Sequence, residues 1–501
     1  MGKIHLLQII NKKILYLSIS FIPFITGCGL FGPEYKKPGI DSPTAWNSHS
    51  RQTETTQTYM PDFAWWEQFN DPQLNKLITD ALENNNNIQI AIGNILQAKA
   101  SLRKVNYSWL PTANVNGLVS VGQVFGTNFT NKSGNPQLNS LGQNSSQGFY
   151  SYGGGFMPSY SVNIMKQLKS GDIAKLNVSL QEQAKNAVRL TIIGQVAGSY
   201  FELLGTQKQL KLQEQTIKDA ETLKKYALVQ YEAGKVSELN IIGLEQFIAT
   251  LKEQIPNLKQ NITQYQNTLR LLTNHNPGKI ITHNHFDQIE TDQIIPINLP
   301  SEILKARPDI AVSEHQLQIS NTKIGLATSS YFPSISLTGL LGGASTQLTN
   351  LFSMGMGVWM AGLQAGMPVF DMTISAERDE AKAEYYSNYY RYIETVRNAF
   401  METDNALSQN KNINMSYLQQ KQALLKANQQ LQLAEMQYEY GAISYNDALA
   451  FKLNADYMTV NLNKSKMNQM DSIVNLYLVF GGGYNINNSD IPKQFGDDHD
   501  I

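Results

Sequence analysis

The chain is 501 residues long, roughly enough for two to four domains, and its 40 Lys and Arg against 41 Asp and Glu leave a formal net charge of −1. That balance provides no net field to hold nucleic acid, and a single cysteine excludes an intramolecular disulfide. After the first thirty residues no segment approaches the roughly 20 apolar residues that a transmembrane helix needs. Any passage through a membrane would therefore have to be made by strands.

Residues 1–27 read as a signal peptide. Lys3, Lys12 and Lys13 give a basic start, and Ile14 to Ile25 form an apolar stretch too short to span a bilayer but suited to the h-region of a secretory signal. Ile25-Thr26-Gly27-Cys28 follows directly and resembles the bacterial lipobox, in which the cysteine sulfur takes a diacylglyceryl group and becomes the mature N-terminus. Cys28 is thus the expected site of lipid attachment, and that covalent lipid is the only non-protein group expected, with no cofactor. Gly29 stands where many such lipoproteins carry the aspartate that retains them at the inner membrane, which favours the outer membrane. Residues 28–63 read as a lipidated arm, rich in Ser, Thr and Gln from Ile40 onward.

Beyond the arm the chain repeats itself. Ser108-Trp109-Leu110-Pro111 and the alternating run to Leu118 recur 222 residues later from Ser330 to Leu340. Gln230-Tyr231-Glu232-Ala233-Gly234 recurs 207 residues later as Gln437-Tyr438-Glu439-Tyr440-Gly441. The first copy therefore holds extra sequence, which the turn-forming segment 126–148 accounts for. This gives a first repeat over 64–273, an equatorial connector over 274–300, a second repeat over 301–480 and a flexible, acidic tail over 481–501.

Within the first repeat, Ile241, Leu244, Ile248, Leu251, Ile255, Leu258, Ile262, Tyr265, Leu269 and Leu272 alternate steps of three and four. That is the seam of a coiled coil, and its partner is a helix over 170–233. Pro256 breaks into the seam and should bend the helix or cost it about 3 kcal/mol. Residues 371–440 and 445–478 predict a second long hairpin. A period of two marks four strands, at about 110–124, 149–163, 333–345 and 354–369, each with an apolar and a small polar face. Their length suits transmembrane β-strands of about 9–11 residues, although an antiparallel sheet in a soluble α+β domain remains open for any one of them. Four strands cannot close a barrel and lipid tolerates no open edge, whereas three chains would supply twelve. The predicted fold is therefore all-α with a membrane β-barrel: a duplicated unit of coiled-coil hairpins and β-hairpins, assembled as a trimeric α-barrel and 12-stranded β-barrel tube.

Several motifs carry a family resemblance. Gly32-Pro33-Glu34-Tyr35-Lys36-Lys37-Pro38, then Trp65-Trp66 with Phe69-Asn70-Asp71-Pro72-Gln73-Leu74, are similar to the start of efflux lipoproteins. Leu299-Pro300-Ser301-Glu302-Ile303-Leu304-Lys305-Ala306-Arg307-Pro308-Asp309-Ile310 is the most specific run, followed in order by Phe332-Pro333 and Pro368-Val369-Phe370-Asp371. Across nearly the whole mature chain the sequence resembles the TolC-like outer-membrane factors that serve resistance-nodulation-division pumps. Met372-Thr373, where the family usually has glycines, and Gln167-Leu168-Lys169-Ser170-Gly171 depart from the pattern at strand–helix junctions. The resemblance implies a homotrimer in outer-membrane lipid, meeting a periplasmic adaptor and an inner-membrane pump and passively conducting small molecules outward. A type I protein-secretion duct and a non-pore coiled-coil adaptor are the alternatives.

No catalytic constellation appears, so no enzyme is expected. His275, His283 and His285 could suggest a metal, but no carboxylate or cysteine completes a set, and they read as a polar connector. Function is expected at the two helix turns, Gly234-Lys235-Val236-Ser237 and Gly441-Ala442-Ile443-Ser444, where glycine ends one helix and serine caps the next. In the family these turns meet the adaptor, and the second lines a closed aperture. Asp447 matches an aperture aspartate, Asn240 holds the equivalent place in the first repeat, and Ile443 replaces an arginine that latches some relatives. A different or weaker latch follows.

Overall fold

The computed structural model describes residues 32–43, 46, 59–124, 147–282, 286–289, 305–345, 349 and 357–486. The signal peptide, Cys28, residues 126–146 of the expected 126–148 insertion, His283, His285, residues 299–304 and the tail from 487 lie outside them. In chain order the described elements are α1 (Pro72–Asn84), α2 (Asn86–Tyr107), β1 (Thr112–Val124), β2 (Gln147–Val162), α3 (Ile164–Glu232), α4 (Glu238–Leu272), α5 (Pro308–Thr328), β3 (Ser334–Ser345), β4 (Gly357–Gly366), α6 (Met372–Glu439) and α7 (Tyr445–Val479). None of these helices is long and apolar enough to cross a membrane. The chain divides into two compact units, one of residues 1–36, 99–176 and 318–386, the other of 37–98, 177–317 and 387–501. Each draws on both halves of the sequence.

The first unit is built on a four-stranded antiparallel sheet in the order β1-β2-β3-β4. Its register sorts the alternating residues. Val115 faces Phe156, Val119 faces Tyr152 and Tyr160 faces Leu337; Leu341 faces Trp359 and Leu337 faces Leu363. Because side chains alternate across a strand, these form one apolar face. It is uncovered: Val115 is 83% exposed, Trp359 79% and Leu363 75%. The opposite face carries Asn114, Asn116, Ser159, Ser161, Ser336, Thr338 and Gln364 together with Leu118, Met157, Leu340, Val358 and Met360, and the Ser161 and Ser336 hydroxyls lie 2.9 Å apart. Both long edges, on β1 and β4, have no strand partner among the described residues.

The strands fall at the expected places with shifted ends. β4, expected over 354–369, is described from Gly357, with 354–356 outside the described residues, and stops at Gly366, two residues before Pro368, which has no N–H to give a ladder. The helix expected from 170 begins at Ile164, two residues after the last residue of β2. Asn163 makes that junction: its Oδ1 accepts the Lys166 N–H, and its Nδ2 donates to the Ser329 and Phe332 carbonyls. The unusual Gln167–Gly171 run is accommodated as helix.

The second unit is helical. Its core gathers Trp65, Trp66, Phe69, Tyr200, Phe201, Tyr477 and Phe480, with Trp65 stacked on Tyr477 at 4.8 Å between centroids. Asp71, fully buried, caps α1 by accepting the Gln73 and Leu74 N–H groups and also the Tyr200 hydroxyl at 2.7 Å. The Trp-Trp and Asp-Pro motifs are thus a packing anchor and a helix start. In α4 every residue of the predicted seam from Ile241 to Leu272 is buried or half-buried. Pro256 lies inside α4, whose helical run is unbroken across it, and its own side chain is exposed.

A second seam pairs α3 with α7. Gly194 lies against Leu478 and Gly205 against Met467, so closely that a Cβ at either glycine would collide with the facing side chain. Asn463 Nδ2 donates to the Gly205 carbonyl at 3.0 Å and to Gln209 Oε1 at 2.9 Å. This polar, small-residue contact has none of the Leu/Ile rhythm that marks α4.

Candidate functional site at the helical turns

Both turns are built the same way. After α3, Gly234 adopts φ +71, its N–H donates to Tyr231 O at 2.8 Å, and Lys235 N–H donates to Gln230 O at 2.8 Å. After α6, Gly441 has φ +74, with Gly441 N–H to Tyr438 O at 2.9 Å and Ala442 N–H to Gln437 O at 2.8 Å. These are Schellman closures, which satisfy the last carbonyls of a helix and need a left-handed residue best supplied by glycine. Lys235 and Ala442 are exposed, whereas Val236 and Ile443 are half-buried.

The following caps differ. Ser237 opens α4 by accepting the Leu239 N–H at 3.0 Å, and Asn240 N–H donates to the Ser237 carbonyl at 3.0 Å. Ser444 opens α7 with a full capping box. Its Oγ accepts Asp447 N–H at 3.2 Å, while Asp447 Oδ2 accepts the Ser444 N–H at 3.2 Å and the Ser444 hydroxyl at 2.7 Å. Asp447 is exposed, and one of its carboxylate oxygens is committed to its own helix start. The Ser-x-x-Asp spacing signals such a box, which a reading of Asp447 for its charge leaves out.

The first turn and the start of α7 are brought together. Gln230 Oε1 accepts a short hydrogen bond from Asn446 Nδ2. Tyr226 packs on Tyr445 at 4.1 Å between centroids, and Tyr438 lies 5.2 Å from Tyr445. Further along α7, Lys452 Nζ bridges Asp219 Oδ2 on α3 at 3.0 Å and Asp456 Oδ1 on its own helix at 3.4 Å. Burial chiefly pushes the Asp456 carboxyl up to about 6, with the Asp219 carboxylate adding to the rise against the pull of Lys452. Burial alone would raise Asp219 too, but hydrogen bonds from Gln215 and Lys452 hold it below the usual carboxylate range. The Lys452–Asp456 pair at i,i+4 is visible in sequence; its partner on α3 is not, because nothing marks α3 and α7 as neighbours.

Elsewhere, His275 Nδ1 lies 3.2 Å from the Thr273 hydroxyl. No group of three or more potential metal ligands occurs among the described residues.

The chain resembles known proteins over most of its length. Residues 77–275 and 299–482 match the sequence profile of the outer membrane efflux protein family. The toluene efflux pump outer membrane protein TtgC of Pseudomonas putida is 28% identical over 477 residues, covering 93% of this chain and 95% of that protein. The probable outer membrane lipoprotein SilC of Salmonella typhimurium is 28% identical over 485 residues, covering 94% and 99%. Among solved structures, the Campylobacter jejuni CmeC outer membrane channel matches with a TM-score of 0.74 at 25% identity, over 93% of this chain and 97% of that one.

Proposed function

The chain belongs to the outer membrane efflux protein family, and from that premise we propose that three copies join their sheets into one twelve-stranded barrel that serves as the exit duct of a tripartite pump. The observation that carries this reading is the sheet. One face is apolar and uncovered, the other mixes Ser, Thr and Asn with a few apolar side chains, and both edges are open among the described residues. An open edge in lipid costs several kcal/mol for each unpaired backbone group. Pairing β4 of one copy with β1 of the next removes every edge and turns the apolar face outward to lipid.

The paired helices α3/α4 and α6/α7, of 69 and 35 and of 68 and 35 residues, are on this reading the duplicated coiled-coil hairpins of a periplasmic tube. Their turns, Gly234–Ser237 and Gly441–Ser444, meet a periplasmic adaptor that couples the duct to an inner-membrane pump of the resistance-nodulation-division type. Asp447 and Asn240 border the closed aperture, and Cys28 carries lipid, as the name of SilC suggests for that relative. The cargo is small molecules, moved without any reaction; the pump supplies the energy. Purified full-length protein should run as a trimer and conduct ions in planar bilayers. A trimer that gives no conductance would sink the duct reading.

A further inference from the structure

The seam between α3 and α7 holds a polar clamp that the duct reading does not use. Asp219 and Lys452 are mostly sheltered, with 13% and 36% of their side chains exposed, and Asp456 is at 18%. Asp456 Oδ2 is buried and has no hydrogen-bond partner. The Asp219 carboxylate, another acceptor, is held by the same Lys452 Nζ, so the two acids can bond to each other only through a proton held between them. With that proton the cluster is one carboxylate, one acid and one ammonium, neutral and fully bonded. Without it two carboxylates compete for Lys452. On the helices around it, Lys252 pairs with Glu221 at 2.6 Å and Lys224 with Glu245 at 3.1 Å between α3 and α4, and Lys426 bonds Gln429 within α6. Tyr226 and Tyr445, nearer the tip, pack on each other.

We infer that Asp219, Lys452 and Asp456 form a proton-operated latch, which holds α7 against α3 in acid and loosens toward neutral pH, so regulating the aperture. This inference rests on the proposal that the helix turns border an aperture. Its direction follows from linkage. Asp456 in the clamp keeps a proton up to a pH of about 6, while on separated helices its carboxyl would return to the ordinary value near 4. Between those values the clamped state binds more protons, so the clamp tightens as pH falls and is weakest above 6. From pH 7 to pH 5 the ratio of clamped to open should rise about tenfold.

Two measurements on the full-length protein test the latch. Amide hydrogen exchange of 445–456, corrected for the intrinsic pH dependence of exchange, should show about tenfold more protection at pH 5 than at pH 7. Basal conductance in planar bilayers should fall over the same range. Asp456→Asn, which offers Asp219 a permanent donor, should be protected at both pH values. Asp219→Asn should also abolish the dependence by another route, and Lys452→Met should move its midpoint upward. Wild-type protection that does not change with pH, or Asp456→Asn protein that keeps the wild-type dependence, overturns the latch. Protection that varies with pH in a trimer without conductance would leave the latch standing and remove only the duct.

Discussion

Asp447 is asked to do two things, and its geometry lets them be separated. Its carboxylate completes the capping box of α7, a contact worth about 1 kcal/mol in comparable helices, and its charge is proposed to face the aperture. Asp447→Ala removes both, so it should fray residues 444–448 in hydrogen exchange and alter basal current together. Asp447→Gln keeps the box, since Gln serves at that position, while deleting the charge. We expect the helix start to remain protected and blockade of single-channel current by divalent cations to weaken. Blockade equal to wild type would take Asp447 out of the lumen. Gly441 has a plainer role. At φ +74 an alanine costs roughly 1–2 kcal/mol, so Gly441→Ala should lower protection at the end of α6. These turns are legible in sequence because glycine and serine act locally there. The capping box is equally local, yet it escapes a reading that weighs Asp447 for its charge alone.

Among the elements, what can be read depends on whether the signal is periodic. The α4 seam repeats apolar residues at steps of three and four, and every one of them is sheltered; the strands alternate with period two, and the register places most of their apolar residues on one face. The α3–α7 seam has no such signature. It sets Gly194 against Leu478 and Gly205 against Met467 and bonds Asn463 to Gln209; the glycines and amides on their own suggest a solvated helix, and only the tertiary pairing shows that they let two backbones approach. Gly205→Val should therefore overpack against Met467 and destabilise by about 1–3 kcal/mol, read as a lowered Tm with faster exchange over 460–470. Pro256 makes the opposite case. It removes one donor from a helix that continues past it, so Pro256→Ala should strengthen α4 by up to about 3 kcal/mol, seen as slower exchange over 252–260. Unchanged exchange there would mean that the surrounding packing already offsets the missing bond.

For the whole molecule, the two faces of the sheet and the lipid on Cys28 test one idea, that the barrel and not the acyl chains holds the protein in the outer membrane. Val115→Arg puts a cation on the apolar face, at a cost of about 2–4 kcal/mol near the bilayer midplane, and should reduce the yield of membrane-embedded trimer. Ser336→Arg lies on the polar face and should assemble normally while changing ion selectivity. If both variants behave alike, the faces have been assigned to the wrong media. The diacylglyceryl group expected on Cys28 carries two acyl chains, enough for stable anchoring to a membrane but short of the hold of a spanning segment. An apolar band on twelve strands would exceed any such anchor, because leaving lipid would uncover every outward side chain around the barrel. Cys28→Ala behind a cleavable signal should thus still yield trimers that resist alkaline carbonate extraction from outer membranes. Release of that variant as soluble protein would show that the lipid alone did the holding, and the barrel reading would fall with it.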